Sequence, residues 1–157
     1  MNFPPTVILR HRRENLKKCS LRGLETREDM HFFTYPKHAL PPLYGYIMLS
    51  MEGPVIASAD QSHGLFIIDG TWRYAEVMGQ FVERSNVPVI LRSLPASLRT
   101  AYPRRQDHCA EPERGLASVE ALYAAYFLMG RETSGLLDNY RWKDEFLQLN
   151  FDILTII

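Results

Sequence analysis

Cysteine is nearly absent: Cys19 and Cys109 are the two among 157 residues, and they lie far apart. The chain opens Met-Asn-Phe-Pro-Pro and turns basic, without the apolar core of an export signal. The expectation is two free thiols in a reducing cytosol rather than a disulfide-stapled secreted domain. Long apolar runs are missing as well. None approaches the ~20 residues that cross a bilayer, so no membrane association is expected. There is no glycine-rich phosphate loop, no HExxH or paired CxxC metal signature and no GxSxG nucleophile elbow. The five histidines, at positions 11, 31, 38, 63 and 108, fall without ligand spacing, and no metal site is expected. Net charge is also lacking: 18 basic residues balance 18 acidic ones, which excludes a wholly coated polyanion binder.

What is present is ordinary globular composition, 46% apolar and 23% charged, in a length that suits one domain over residues 1–157. The charges are unevenly placed. Residues 1–27 hold seven bases against two acids, and residues 92–114 hold five against three. Such clusters are either solvated faces or contacts for a local anionic partner such as a nucleic-acid backbone.

Short, continuous, β-branched runs recur at 6–9, 46–49, 65–68 and 87–91, the pattern of strands buried on both faces in a parallel sheet. Helical spacing of apolar residues predicts helices over 71–84, 118–129 and 134–149. Thr71 and Ser118 are placed to cap the first two, and Gly130 to stop the second. Alternating strands and helices make an α/β domain.

Two segments bear on chemistry. Leu65 to Ala75 reads as a buried strand ending in Asp69-Gly70, followed by a helix that opens with Trp72. Ligands of open α/β sheets bind at the carboxyl ends of strands, which sets Asp69 at the mouth of a site. A turn aspartate and a core tryptophan explain the same residues without a ligand. Gly115 to Ala121 leads a loop into a helix N-terminus, whose free amides suit a ligand carboxylate; ordinary capping by Ser118 is the plainer alternative.

Taken together and in order, several segments resemble one family. They are Lys17-Lys18-Cys19-Ser20 with Leu21-Arg22-Gly23-Leu24, Met48-Leu49-Ser50, Ser58-Ala59-Asp60, His63-Gly64 and Ile68-Asp69-Gly70-Thr71-Trp72. Ala117-Ser118-Val119-Glu120-Ala121 and Phe146-Leu147-Gln148-Leu149-Asn150 follow. The set resembles the small-subunit rRNA aminocarboxypropyltransferases over nearly the whole chain. It is also similar to the related DTW-domain tRNA-uridine aminocarboxypropyltransferases, whose Asp-x-Trp signature is spread here as Asp69-Gly70-Thr71-Trp72. Two features depart from these patterns. Residues 95–115 lack the Asn-Pro-Val-Asn-Tyr-Gly stretch of the rRNA enzymes and carry an arginine-rich segment instead. The cysteine-rich N-terminal motif of many DTW proteins is missing too.

The resemblance implies a SPOUT-like parallel sheet with flanking helices and a C-terminal trefoil knot, with S-adenosylmethionine as cofactor. The implied reaction transfers the 3-amino-3-carboxypropyl group, not the methyl, to a nucleobase nitrogen of rRNA or of a tRNA uridine. In that setting Trp72 and Ala75 wall off the methyl, and Ser20 with the backbone of Ala117 and Ser118 holds the amino-acid carboxylate. Leu49 and Leu94 flank adenine beside Ser50, and the Ile68 carbonyl receives the ribose. Asp69 and Trp72 are the catalytic candidates. Arg10, Arg12, Arg13, Lys17, Lys18, Arg22, Arg99, Arg104 and Arg105 are the expected RNA contacts. A cytoplasmic monomer acting in ribosome maturation is the resulting expectation. The alternatives are a SPOUT-type RNA methyltransferase and a non-catalytic RNA-binding assembly module.

Overall fold

The computed structural model describes residues 3–17, 19–70, 72–103 and 115–155, with the backbone alone for Trp72. Strands β1 (Thr6–His11), β2 (Met30–Tyr35), β3 (Tyr46–Leu49), β4 (Gly64–Asp69) and β5 (Ile90–Arg92) form one sheet in the order β2-β1-β4-β3-β5. Every pairing is parallel. Strands β1, β3 and β4 coincide with continuous apolar runs, and β5 overlaps only the last two residues of the run at 87–91. Central β1 is buried along its whole length, as expected for a strand covered on both faces.

Alternation along the strands sorts the core into two layers. Ile8, Ile47, Leu65 and Ile67 pack with Val119, Leu122, Ala125 and Met129 of α2 (Ser118–Met129) and with Phe146 of α3 (Lys143–Leu149). Val7, Leu9 and Phe66 pack on the opposite face with Met78 and Val82 of α1 (Trp72–Arg84). The parallel sheet with helices on both faces is the α/β layering expected.

Three local expectations change. Strand β2 was not foreseen: its sequence, Met-His-Phe-Phe-Thr-Tyr, is interrupted by polar residues and half-buried at the sheet edge. The helix expected over 134–149 forms only over Lys143–Leu149. Gly135 takes a φ of +83°, and residues 133–143 are held by i→i+3 bonds such as Tyr140 N–H to the Leu137 carbonyl. Those turns bury Leu136, Leu137 and Tyr140 all the same. Finally, Ser118 does not cap α2. Ala117 stands at the cap, and the Glu120 carboxylate reaches back to the Ala117 N–H at 2.7 Å, half of a capping box. The helix stops at Gly130, in the left-handed conformation with φ +77°, as expected.

Glu120 is fully buried and each oxygen takes two donors. Oε1 accepts from Ala117 N–H and the Thr100 hydroxyl, and Oε2 from Ala101 N–H and the Tyr140 hydroxyl. It thereby fastens residues 100–101 and Tyr140 to the start of α2. Glu120→Ala will remove the acceptor of all four bonds and lower the unfolding free energy by about 3–5 kcal/mol. Urea denaturation followed by circular dichroism will measure it, and a loss below about 1 kcal/mol would deny Glu120 that role.

Candidate functional site

In an open parallel sheet, a binding crevice forms where neighbouring strands send their connections in opposite directions. Strand β1 leads to β2 on one side, and its neighbour β4 leads through α1 to β5 on the other. The switch point therefore lies between the carboxyl ends of β1 and β4. Arg10 and Asp69 are register partners there, and both belong to the alternate set that faces α2.

The two side chains form a buried ion pair, Arg10 Nε to Asp69 Oδ2 at 3.1 Å. The rest of the guanidinium is engaged as well: Nη1 donates to Glu25 Oε2 at 3.1 Å and Nη2 to Cys19 Sγ at 3.3 Å, and the group lies over the Phe32 ring at 4.5 Å. Cys19 Sγ in turn donates to Asp69 Oδ2 at 3.2 Å and accepts from Leu21 N–H. Burial, then the Asp69 charge, pushes the thiol up to about 12, so it stays protonated at neutral pH. The other Asp69 oxygen accepts the Ser118 hydroxyl at 2.8 Å. Having no cap to make, Ser118 spends its side chain on the strand end.

Ser20 lies beside the same helix start, its Oγ accepting from Val119 N–H at 3.2 Å. Leu49 ends β3 and Ser50 follows it, and Leu94 follows β5; the Ser50 N–H bonds the Arg92 carbonyl at 2.9 Å, joining the two strand ends. Ile68 precedes Asp69 on β4, and Ala75 is half-buried in the first turns of α1. The expected cofactor residues thus gather along one edge of the sheet, from Ser20 and Ser118 across Ile68 to Leu49, Ser50 and Leu94. The Trp72 side chain lies outside the described residues.

Three expectations are corrected. Asp69 does not stand open at a mouth: it is 3% exposed and its oxygens already hold three donors. The Ala117 amide is spent on Glu120, so it offers no hydrogen bond to a ligand. Arg10 is no surface base: it is 7% exposed and bound on every side, so it cannot reach an RNA phosphate. Arg12, Arg13 and Lys17 are exposed in the loop that leaves β1 on the site edge, and Arg22 is exposed beside them, bonding the Lys17 carbonyl. Arg99 is exposed on the segment that Asn150 and Glu120 hold near the start of α2. Lys18, Arg104, Arg105 and Cys109 lie outside the described residues.

Sequence reasoning missed Cys19 and Glu25 as partners of Arg10, and it missed His11. His11 is buried at the end of β1, where its ring stacks on Tyr74 with centroids 3.9 Å apart and planes 9° from parallel. Its Nδ1 accepts the Arg13 N–H, and burial, with Arg12 and Arg13 nearby, lowers the imidazole below the usual histidine range. Glu14, Cys19 and Asp69 bring potential ligand atoms within 4.8 Å of one another. The thiol there is held protonated, and the guanidinium already supplies the positive charge.

No family model matches the sequence, and no curated protein matches it. Among solved structures, the chain is similar to the SAM-dependent rRNA:acp-transferase Tsr3 from Vulcanisaeta distributa, with a TM-score of 0.69 and 26% identity. The match covers 96% of this chain and 80% of that one.

Two outcomes follow from the ion-pair cluster. Arg10→Gln will strand a buried carboxylate and cost about 3–5 kcal/mol of stability, whereas Arg10→Met combined with Asp69→Leu will recover most of that loss. Guanidinium denaturation of Arg10→Met, Asp69→Leu and the double variant tests the coupling, and strictly additive losses would refute it. Iodoacetamide at pH 8 will leave Cys19 unlabelled in the native protein and modify it once urea unfolds the chain, as peptide mass spectrometry will read.

Proposed function

We propose that this chain is an S-adenosylmethionine-dependent enzyme, one cofactor-binding domain over residues 1–157. It transfers the 3-amino-3-carboxypropyl group to a nucleobase nitrogen of rRNA during ribosome maturation. The observation that carries this reading is the gathering of the expected cofactor residues along one sheet edge, in a chain similar over 96% of its length to an rRNA acp-transferase. The link to the DTW-domain enzymes, with tRNA uridine as the acceptor, is the narrower variant of the same chemistry.

The residues at the edge fit the cofactor. Leu49 and Leu94 offer half-buried apolar surface for adenine, and the end of β4 at Ile68 suits the ribose. The oxygen of Ser20 is taken by Val119 N–H, which leaves its own proton to donate to a carboxylate beside the positive end of α2. Asp69 and Glu25 outnumber the one cation, Arg10, so the cluster carries net negative charge and favours a cationic ligand. When bound, S-adenosylmethionine supplies a sulfonium with three activated carbons, and geometry decides which one meets the nucleophile.

In this reading Trp72 and Ala75 close off the methyl. Asp69 acts as a positioning residue that fixes Ser118 and Arg10, since its oxygens already hold three donors. Arg12, Arg13, Lys17, Arg22 and Arg99, exposed near the edge, hold RNA phosphates in this reading. Lys18, Arg104 and Arg105, outside the described residues, are the further phosphate contacts of the same proposal. We read the C-terminal half as the trefoil knot of SPOUT-like folds. The lacing of Arg99 to Asn150 and of residues 100–101 to Glu120 supports that reading. No helix among the described residues is long and apolar enough to cross a membrane. A cytoplasmic monomer completes the proposal.

The test incubates the protein with unmodified rRNA, or tRNA, and S-adenosylmethionine labelled in the carboxyl carbon or in the methyl. Carboxyl label will enter the rRNA and methyl label will not; Trp72→Ala will raise the methyl share. Methyl label entering with the wild-type protein would make it a methyltransferase. Failure of both labels, with no saturable cofactor binding by calorimetry, would make it a binding module.

A further inference from the structure

We propose that His11 is a positioning residue that sets the first turn of α1 over the carboxyl ends of β1 and β4, and thereby the fit of the cofactor in that crevice. The proposal rests on the reading above, in which that turn borders S-adenosylmethionine. Two independent contacts clamp the turn. On one side the His11 ring lies flat against Tyr74, two residues after Trp72 and one before Ala75. On the other side Gly70 leaves no room for a side chain: a Cβ built there would lie 2.9 Å from Met78 Cε and 3.2 Å from Tyr74 Cβ. Tyr74 is thus held between the end of β1 and the turn that follows β4.

The stack is anchored from below as well. Tyr35 of β2 approaches His11 with centroids 5.6 Å apart and meets Phe81 of α1 at 5.1 Å. His11 also sits next to Arg10 in sequence, with its side chain on the opposite face. The residue pair therefore fixes the two sides of one strand end: Arg10 holds Asp69 and the α2 side, and His11 holds the α1 side. A leucine would fill the space with apolar atoms, but it lacks the flat face that sets the tilt of the Tyr74 ring. The Nδ1 contact adds a tie to the basic loop through Arg13 N–H.

Three variants separate the stack from the loop bond and from general packing. His11→Phe keeps a ring and loses the acceptor; His11→Asn keeps an acceptor and loses the ring. Val82→Ala loosens the far end of α1, where Val82 is 3% exposed. Calorimetric titration of the full chain with S-adenosylmethionine will show His11→Asn weakened by about threefold to tenfold, and His11→Phe within about twofold of wild type. Hydrogen exchange will quicken over residues 73–78 in His11→Asn and stay unchanged over 79–84, whereas Val82→Ala will show the reverse with cofactor affinity kept. Equal affinity for wild type and His11→Asn would overturn the proposal. So would retained affinity in His11→Asn with loss in His11→Phe, or an equal loss in Val82→Ala. Absence of cofactor binding by the wild-type chain would instead overturn the functional reading on which the proposal rests.

Discussion

Two charges buried at the ends of adjacent parallel strands impose most of what surrounds them. Arg10 and Asp69 are register partners, so neither can move without shifting β1 against β4. Away from water, every donor and acceptor on the pair has to find a partner within the protein. Glu25 and Cys19 answer the guanidinium, and Ser118 and Cys19 answer the carboxylate. Satisfying the pair therefore draws the segment after β1 and the start of α2 to one place. The bonds that neutralise the pair thereby fix the strand ends at the switch point against the start of α2.

Glu120 is another carboxylate bonded in the interior, and the contrast is instructive. It has no cationic partner among its four bonds; two backbone amides and two hydroxyls solvate it instead. It stitches chain segments that are far apart in sequence. Asp69, by contrast, faces a cation and a helix start in the crevice. The chemistry of the two side chains is similar, and their surroundings divide the work: one carboxylate holds the scaffold and the other shapes the site.

The legible parts of the fold were those that local pattern dictates. Continuous apolar runs marked β1, β3 and β4 and touched the start of β5, and the spacing of Val119, Leu122, Tyr126 and Met129 marked α2 to its ends. Strand β2 escaped because an edge strand is half-buried and tolerates His31 and Thr34. Residues 134–142 misled because successive turns can bury Leu136, Leu137 and Tyr140 at spacings close to those of a helix. Ser20, Asp69 and Ser118 could be picked out as candidates from the sequence, yet the partners they bond could not. Arg10 lies 59 positions from Asp69, and only the register of β1 on β4 joins them. One signal was available for its burial: Arg10 continues the alternate set Thr6, Ile8 directly after the apolar run Val7-Ile8-Leu9, where a charged residue needs a buried partner.

That signal bears on why such a pair persists. A buried ion pair contributes little net stability, because desolvation roughly offsets the attraction, and well-packed apolar residues of similar volume often do as well. An apolar pair at positions 10 and 69 could hold β1 to β4. It could not present a hydroxyl-accepting carboxylate to Ser118, or draw Glu25 and Cys19 inward. The structural value of Arg10 and Asp69 is therefore directional rather than cohesive. The apolar layers on the two faces of the sheet hold the domain together, and the ion pair determines where along the edge the strand ends, the Ser20 hydroxyl and the start of α2 meet.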